Sequence, residues 1–293
     1  LGPLDVAGIE GPVTGENVLA SMRRAWETPD TASGTVADAQ TSDWWAKRKD
    51  FMGDLVSTAL AKMQGGADLD AMALAKALLA MLDGRHLQIA ADDPELAALL
   101  AEQGWDGALR PVVGEDYLAV VDSNVGFNKA SAAVQLTIDY RAANVEGALQ
   151  GTLTLTYHHT AAPLPANELC DRTPRYGGSY DELIQRCYWD YLRVYVPEGV
   201  TLVASEGLER AAVEPGERNT SVIAGTFSLR PGDQHTVRLS YRLPEEVSLL
   251  PYALTVRKQA GTPPWPLRVS TGRCQWEERL ATDRRFECPT GVD

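Results

Sequence analysis

Histidine is scarce in this chain, cysteine is confined to its second half, and no long apolar run interrupts it. The four histidines are badly placed for shared work. His86 and His235 stand alone, and His158 and His159 are neighbours in a strand-like stretch, where adjacent side chains point to opposite faces and cannot easily share a metal. A Gly-rich phosphate loop, a Gly-x-Ser-x-Gly elbow and a His-Glu-x-x-His helix are all missing, so the usual motifs of nucleotide, ester and zinc-dependent peptide hydrolysis have no carrier. Glu245-Glu246 and Glu277-Glu278 read as surface acids, since a glycosidase pair must face across a cleft. Arg284-Arg285 reads as a solvated face.

Positive charge is also in deficit. Against 40 Asp and Glu there are 27 Lys and Arg, a formal net charge of -13. Nucleic acid is disfavoured as a partner, because its binding rests on cations that neutralise phosphates. Adhesion to an anionic membrane surface is disfavoured for the same reason. The longest apolar run, residues 71–82, is too short to cross a bilayer and holds Lys76, so membrane contact is expected only through a segment outside this chain. Leu1 is not an initiator methionine, which leaves room for a longer precursor.

What is present begins with ordinary globular proportions, 44% hydrophobic and 23% charged residues in a chain of 293. That length has room for two domains, and the pattern changes near residue 115. Residues 1–115 read as mainly helical. Thr14 can cap a short helix running through Met22 and Trp26. Residues 28–41 read as an exposed loop. Ser42 or Asp43 opens a long amphipathic helix carrying Phe51, Met52, Leu55, Val56, Ala59, Leu60 and Met63 at a 3.6-residue period. A further helix runs from a cap at Asp68 to Gly84, and Asp93-Pro94 opens another that Gly104 closes. Between these last two, residues 85–90 alternate like a short strand.

Residues 116–293 read as β. Strands are expected at 117–121, 133–140, 151–158, 189–196, 201–204, 221–229, 236–243, 252–258 and 267–270, punctuated by turns such as Pro197-Glu198-Gly199 and Arg230-Pro231-Gly232. Short strands at this spacing mark a sandwich or a partly open barrel. The fold class is therefore α+β, an N-terminal helical region with one or two short strands followed by a mainly antiparallel β-sandwich. The tail from Thr271 reads as irregular.

The cysteines pair by position. Cys170 with Cys187 and Cys274 with Cys288 each close a moderate loop rich in turn formers, which suits two local disulfides and an oxidising, extracellular compartment. No pair has zinc-ligand spacing.

Two groups of residues are candidates for recognition. Asp122, Asn124 and Asn128 follow an apolar strand at even spacing, with Gly126 among them. They could stop the strand by bonding their own backbone, with Gly126 supplying positive φ, and this reading is preferred. Alternating oxygens also suit calcium, although the glutamate that ends a full calcium loop is absent. Around the first cysteine pair cluster Tyr176, Tyr180, Tyr188, Trp189, Tyr191 and Tyr195. Trp189 and Tyr191 are expected in the core; Tyr176 and Tyr180, in a polar loop, are the candidates for stacking on a surface glycan or anchoring a protein.

Several motifs carry a resemblance. Gly11-Pro12-Val13-Thr14-Gly15-Glu16-Asn17, Arg48-Lys49-Asp50-Phe51, Asp116-Tyr117 with Asp122-Ser123-Asn124-Val125-Gly126-Phe127-Asn128-Lys129, Arg193-Val194-Tyr195-Val196-Pro197-Glu198-Gly199 and Lys258-Gln259-Ala260-Gly261-Thr262 resemble the bacterial family called domain of unknown function 4012. The resemblance implies a cell-envelope protein with a large exterior portion, tethered through or processed from a membrane-anchored precursor. Its members carry an upstream half distantly similar to the LytR-CpsA-Psr glycopolymer transferases, whose phosphate-binding arginines would precede Leu1. Two functions are then expected. The first is a non-catalytic structural or binding component of a surface layer, filament or envelope complex, with other envelope proteins or copies of itself as partners. The second is the accessory half of a glycopolymer-processing transferase.

Overall fold

The computed structural model describes residues 1–27, 50–65, 69–165, 167–170 and 179–290. Among the described residues, four helices precede the first strand: α1 (Val18–Glu27), α2 (Asp50–Gly65), α3 (Ala71–Asp83) and α4 (Pro94–Glu102). Asp70 caps α3 by accepting from Ala73 N at 2.9 Å, and Asp93 caps α4 by accepting from Leu96 N at 2.9 Å. The cap of α3 is thus Asp70, and Asp68 lies outside the described residues, as do the expected loop at 28–41 and the first turns of the long helix. Gly84 has an ordinary φ of -78; the left-handed residue after α3 is Arg85, at φ 57.

Twelve strands follow among the described residues: β1 (Asp116–Val121), β2 (Val134–Val145), β3 (Ala148–His159), β4 (Tyr188–Pro197), β5 (Thr201–Glu206), β6 (Glu209–Pro215), β7 (Thr220–Leu229), β8 (Gln234–Arg242), β9 (Tyr252–Arg257), β10 (Trp265–Thr271), β11 (Gln275–Leu280) and β12 (Arg284–Cys288). A short helix, α5 (Tyr180–Ile184), lies between β3 and β4. The strands form two six-stranded sheets, ordered β12-β9-β1-β4-β7-β6 and β11-β10-β2-β3-β8-β5. The order in one sheet tracks that in the other, because hairpins join only β2–β3, β6–β7 and β10–β11 while the remaining connections cross between sheets. Most pairings are antiparallel; β1–β9 and β2–β10 are parallel. The helical region preceding a sandwich agrees with the α+β reading.

All nine strands expected after residue 116 are present, and three further strands there were not expected. Residues 85–90 form no strand, because the turn at Arg85 sends that side chain to Asp283, with Nε–Oδ1 2.8 Å and Nη2–Oδ2 2.5 Å. The tail after Thr271 is regular, not irregular: β11 pairs with β10, and β12 with β9. β6, β11 and β12 are the edge strands that escaped the pattern. Charge on an edge deters pairing with other chains, and it hides the apolar alternation that betrays a strand.

Inner faces of the two sheets make one core, with Leu118, Leu153, Leu155, Leu192, Ile223 and Leu239 wholly buried. Each such side chain contributes about 1.5–3 kcal/mol. In the middle of this apolar layer sits a carboxylate. Asp116 of β1 is 1% exposed. Its Oδ2 accepts from Tyr140 Oη of β2 and Tyr252 Oη of β9, each at 2.5 Å, and its Oδ1 from Tyr117 N at 2.8 Å. Burial raises the Asp116 pKa to about 6, and the bonds from Tyr140 and Tyr252 hold it back from rising further. A side chain at Gly151 of β3 would collide with this group, its Cβ 2.6 Å from Tyr140 Oη and 2.8 Å from Tyr241 Cε2.

Both cysteine pairs are disulfide-bonded, Cys170–Cys187 with Cα atoms 5.6 Å apart and Cys274–Cys288 with 5.9 Å. Cys274 lies in the β10–β11 turn of one sheet and Cys288 ends β12 of the other, so the second bond staples sheet to sheet.

Two outcomes test this frame. Asp116→Ala leaves two buried phenols without an acceptor and is expected to cost about 3–5 kcal/mol in urea unfolding. Replacing Cys274 and Cys288 by serine is expected to cost about 2–4 kcal/mol and to raise hydrogen exchange selectively in β11 and β12; unchanged exchange there would contradict the stapling role.

Candidate functional site

Even-numbered residues of β1 face inward, so the geometry that buries Asp116, Leu118 and Val120 also turns the Asp122 side chain toward the opposite sheet. Asp122 is partly covered as a residue, but its carboxyl end is enclosed. Oδ1 accepts from Tyr157 Oη of β3 at 2.7 Å. On β4 the inward residues are Tyr188, Asp190 and Leu192, which places Asp190, 1% exposed, against Asp122.

The two carboxyl groups must share a proton. Asp190 Oδ1 accepts from Ser123 N at 2.8 Å and from Tyr188 Oη at 2.9 Å. Its Oδ2 is buried with no donor, and Asp122 lies within hydrogen-bonding reach. Burial raises both pKa values, and the charge of Asp122 raises that of Asp190 further. Two buried carboxylates in contact cannot both ionise cheaply. A proton on Asp190 Oδ2, donated to Asp122, satisfies every atom, and the pair titrates as a unit.

Beyond this pair the loop closes on itself. Asn124 Oδ1 accepts from Gly126 N at 2.9 Å, and Asn124 Nδ2 donates to Asn128 Oδ1 at 2.8 Å. Asn128 Oδ1 also accepts from Ala130 N at 2.9 Å, and its Nδ2 donates to the carbonyl of Cys187 at 2.9 Å. The oxygens considered for calcium are thus engaged in the turn, and the Asp122 carboxyl points away from Asn124 and Asn128 toward Tyr157. Positive φ is taken by Phe127, at 51°, rather than by Gly126. Gly126 is needed for space: a Cβ there would lie 2.7 Å from Trp189 Cδ1.

The aromatic cluster is distributed differently from its expected arrangement. Trp189 and Tyr191 occupy the outer face of β4 and are partly exposed, while Tyr188 takes the inner position; core packing does not account for Trp189 and Tyr191. Tyr180 opens α5, behind a capping box formed by Ser179 and Glu182. The Arg23 guanidinium stands 4.8 Å above its ring, and Arg23 Nη1 reaches Asp181 at 3.9 Å. That face of Tyr180 binds α1 to α5. Tyr176 lies outside the described residues.

Sequence reasoning passed over Asp116, Tyr157 and Asp190 as a set. The signal was available for β1, where Asp116, Leu118, Val120 and Asp122 form one alternating row. Nothing local marks Asp190 as the partner of Asp122, 67 residues from its neighbour Ser123.

The shared proton has a pH signature. A folded-state pKa above the unfolded value stabilises below the unfolded pKa, and that stability is lost as pH rises through the folded one. Asp116 and Asp122 are raised to about 6 and Asp190 to about 9, so the sandwich is expected to lose thermal stability between about pH 4 and about pH 9. Asp190→Asn imitates the protonated acid, with Nδ2 donating to Asp122. It should flatten the decline, leaving the parts due to Asp116 and to the buried Asp122; equal slopes in both proteins would refute the shared proton.

No family model and no curated protein matches the chain. Among solved structures, a candidate nutrient-binding protein from Legionella pneumophila aligns at 9% identity over 59% of this chain and 70% of its own, with a TM-score of 0.28. A mutant M1 zinc metallopeptidase from Deinococcus radiodurans aligns at 16% identity over 47% of this chain, TM-score 0.23, and native leukotriene A4 hydrolase from Saccharomyces cerevisiae at 9% over 54%, TM-score 0.22. The chain spans 32% and 27% of those two enzymes' lengths. Likeness at this level carries no functional argument.

Proposed function

We propose that this protein is an extracellular, non-catalytic component of a cell envelope that works by binding another envelope protein. The observation that carries the reading is an apolar stripe left in water. Met52, Val56 and Leu60 fall at every fourth residue of α2, on one helical face, and are 45%, 57% and 50% exposed. On α3 and α4, Met72, Leu79, Leu96 and Leu99 are exposed as well. An exposed apolar stripe along one helix face marks protein interaction sites more often than free surface.

Three further features support it. The two disulfides suit an oxidising exterior. The acidic surface keeps the body soluble while the helices supply the adhesive part. The conspicuous acids of the sandwich, Asp116, Asp122 and Asp190, are spent on hydrogen bonds within it, a use that suits a scaffold. Tethering to a membrane-anchored precursor and kinship with domain of unknown function 4012 belong to the same proposal.

Val56→Asp with Leu60→Asp tests it. Both side chains are exposed, so the melting temperature should hold within about 2 °C. In cross-linking on intact envelopes, the wild-type chain should form a discrete adduct with another protein that the double variant loses. A wild-type chain that forms no adduct, or an adduct that survives the substitutions, would remove the proposal.

A further inference from the structure

Among the described residues, His159 is the histidine that the core encloses. It ends β3, continues the inner row of Leu153, Leu155 and Tyr157, and is 0% exposed. Its backbone is fixed to the turn before β8: His159 N donates to Asp233 O at 3.0 Å, and His159 O accepts from Gly232 N at 2.9 Å. The ring reaches past the strand end to two more backbone groups. Nε2 lies 2.9 Å from the carbonyl oxygen of Arg186, and Nδ1 lies 3.3 Å from Ala161 N.

These two partners settle the tautomer. A carbonyl oxygen only accepts, so Nε2 carries the proton; a backbone N–H only donates, so Nδ1 presents its lone pair. The ring is therefore neutral, and a second proton has no place on it. Protonation of Nδ1 would set N–H against N–H at Ala161 and put a charge out of reach of water.

The surroundings offer an imidazolium no bonded acid. On β3, His158 is adjacent, and Tyr157 donates to Asp122. On β4, Tyr188 donates to Asp190. In the turn before β8, Arg230 and Asp233 face each other at 3.7 Å. On α5, Asp181 is turned to Arg23 and Glu182 to the helix cap. Lys129, Glu168 and Arg186 approach from the flanking loops, each through its backbone. Burial lowers the pKa of His159; the bond to the Arg186 carbonyl opposes this in part, and His158 lowers it further.

The two contacts of the ring belong to two arms of one loop. Ala161 begins the arm that leads to Cys170, and Arg186 precedes Cys187, to which Cys170 is bonded. The second arm carries α5, whose Tyr180 and Asp181 meet Arg23 of α1. The first arm has a separate clip, because Arg230 donates to the carbonyls of Glu168 at 2.5 Å and Pro165 at 3.0 Å. That clip and the disulfide outlast the contacts of the ring, so losing those contacts opens the loop without detaching it.

We propose that His159 is a pH-sensitive latch: neutral, it holds both arms to the end of β3, and protonated, it swings out and loosens α5 from the sandwich. Its sign is opposite to that of the buried carboxyl groups. A histidine with a folded-state pKa below its unfolded value stabilises fully above the unfolded value. That stability is lost as pH falls through the folded one. Acid therefore favours the carboxyl cluster while it opens the latch, and the response is local.

NMR of the full chain between about pH 8 and about pH 5 tests the latch. At the upper end the His159 ring should carry its proton on Nε2, and it should titrate below about 6.5, the ordinary histidine value. Along the same curve, hydrogen exchange at the bonded amides of Ala161, Leu183 and Gln185, corrected for intrinsic rates, should rise about two- to tenfold, as for one lost hydrogen bond. The amides of Leu153 and Leu155 should not follow. His159→Gln keeps a donor for the Arg186 carbonyl and gains no proton in this range, so its exchange at the three amides should stay level. A ring that titrates at or above about 6.5, a proton on Nδ1 at the upper end, or level exchange in the wild type would overturn the proposal. So would a variant that opens on the wild-type curve. Should the variant unfold, the wild-type titration and exchange decide between the same outcomes.

Discussion

The sandwich depends on carboxyl groups that it buries at both ends of one strand. β1 enters the interior at Asp116 and leaves it at Asp122, and tyrosine hydroxyls of the facing sheet close on each: Tyr140 on the first, Tyr157 on the second. Apolar packing between sheets is strong but tolerant of small slips, whereas a buried carboxylate is intolerant of losing a donor. The two bonds therefore fix where β1 lies along its axis relative to β2 and β3. Leu118 and Val120, between them, fill the core in the only register that satisfies both ends.

Much of this plan was legible in the sequence because its causes are local. The aspartate cap at 93, glycine and proline turns and alternating apolar residues are each decided within a few positions. Eight of the nine strands read from pattern bury residues of at least one face, and the two cysteine pairings follow from loops short enough to close locally. The edge strands β11 and β12 were hidden for the opposite reason: Glu277, Glu278, Arg284 and Arg285 keep foreign strands off these edges, and their charge masks the apolar alternation. The reading of Arg85 as part of a strand failed because a left-handed turn and an ion pair to Asp283, 198 residues away, outweighed local propensity.

The candidate site was legible only in half. Asp122, Asn124 and Asn128 were picked out by their oxygens, and all three shape the turn after β1. Their meaning depends on Asp190, Tyr157 and Cys187, which come from other strands and reach the loop only after the sandwich has closed. Gly126 shows the limit of residue-type rules. Its value lies in the atom it lacks beneath Trp189, and Phe127 bears the backbone conformation usually assigned to glycine.

The parallel pairings of β1 with β9 and β2 with β10 carry a consequence for the order of assembly. Both early strands sit in the middle of their sheets, yet one neighbour of each is supplied from beyond residue 251. Contacts this distant must bear the entropy of closing a long loop before they return any stability. A chain emerging from the ribosome would hold β1 and β2 half-paired, with open backbone edges, until nearly all of it had been made. Cys274, in the β10–β11 turn, and Cys288, on β12, belong to the part of the chain that arrives last, so the bond between them seals a fold whose centre has been waiting for its two ends to meet.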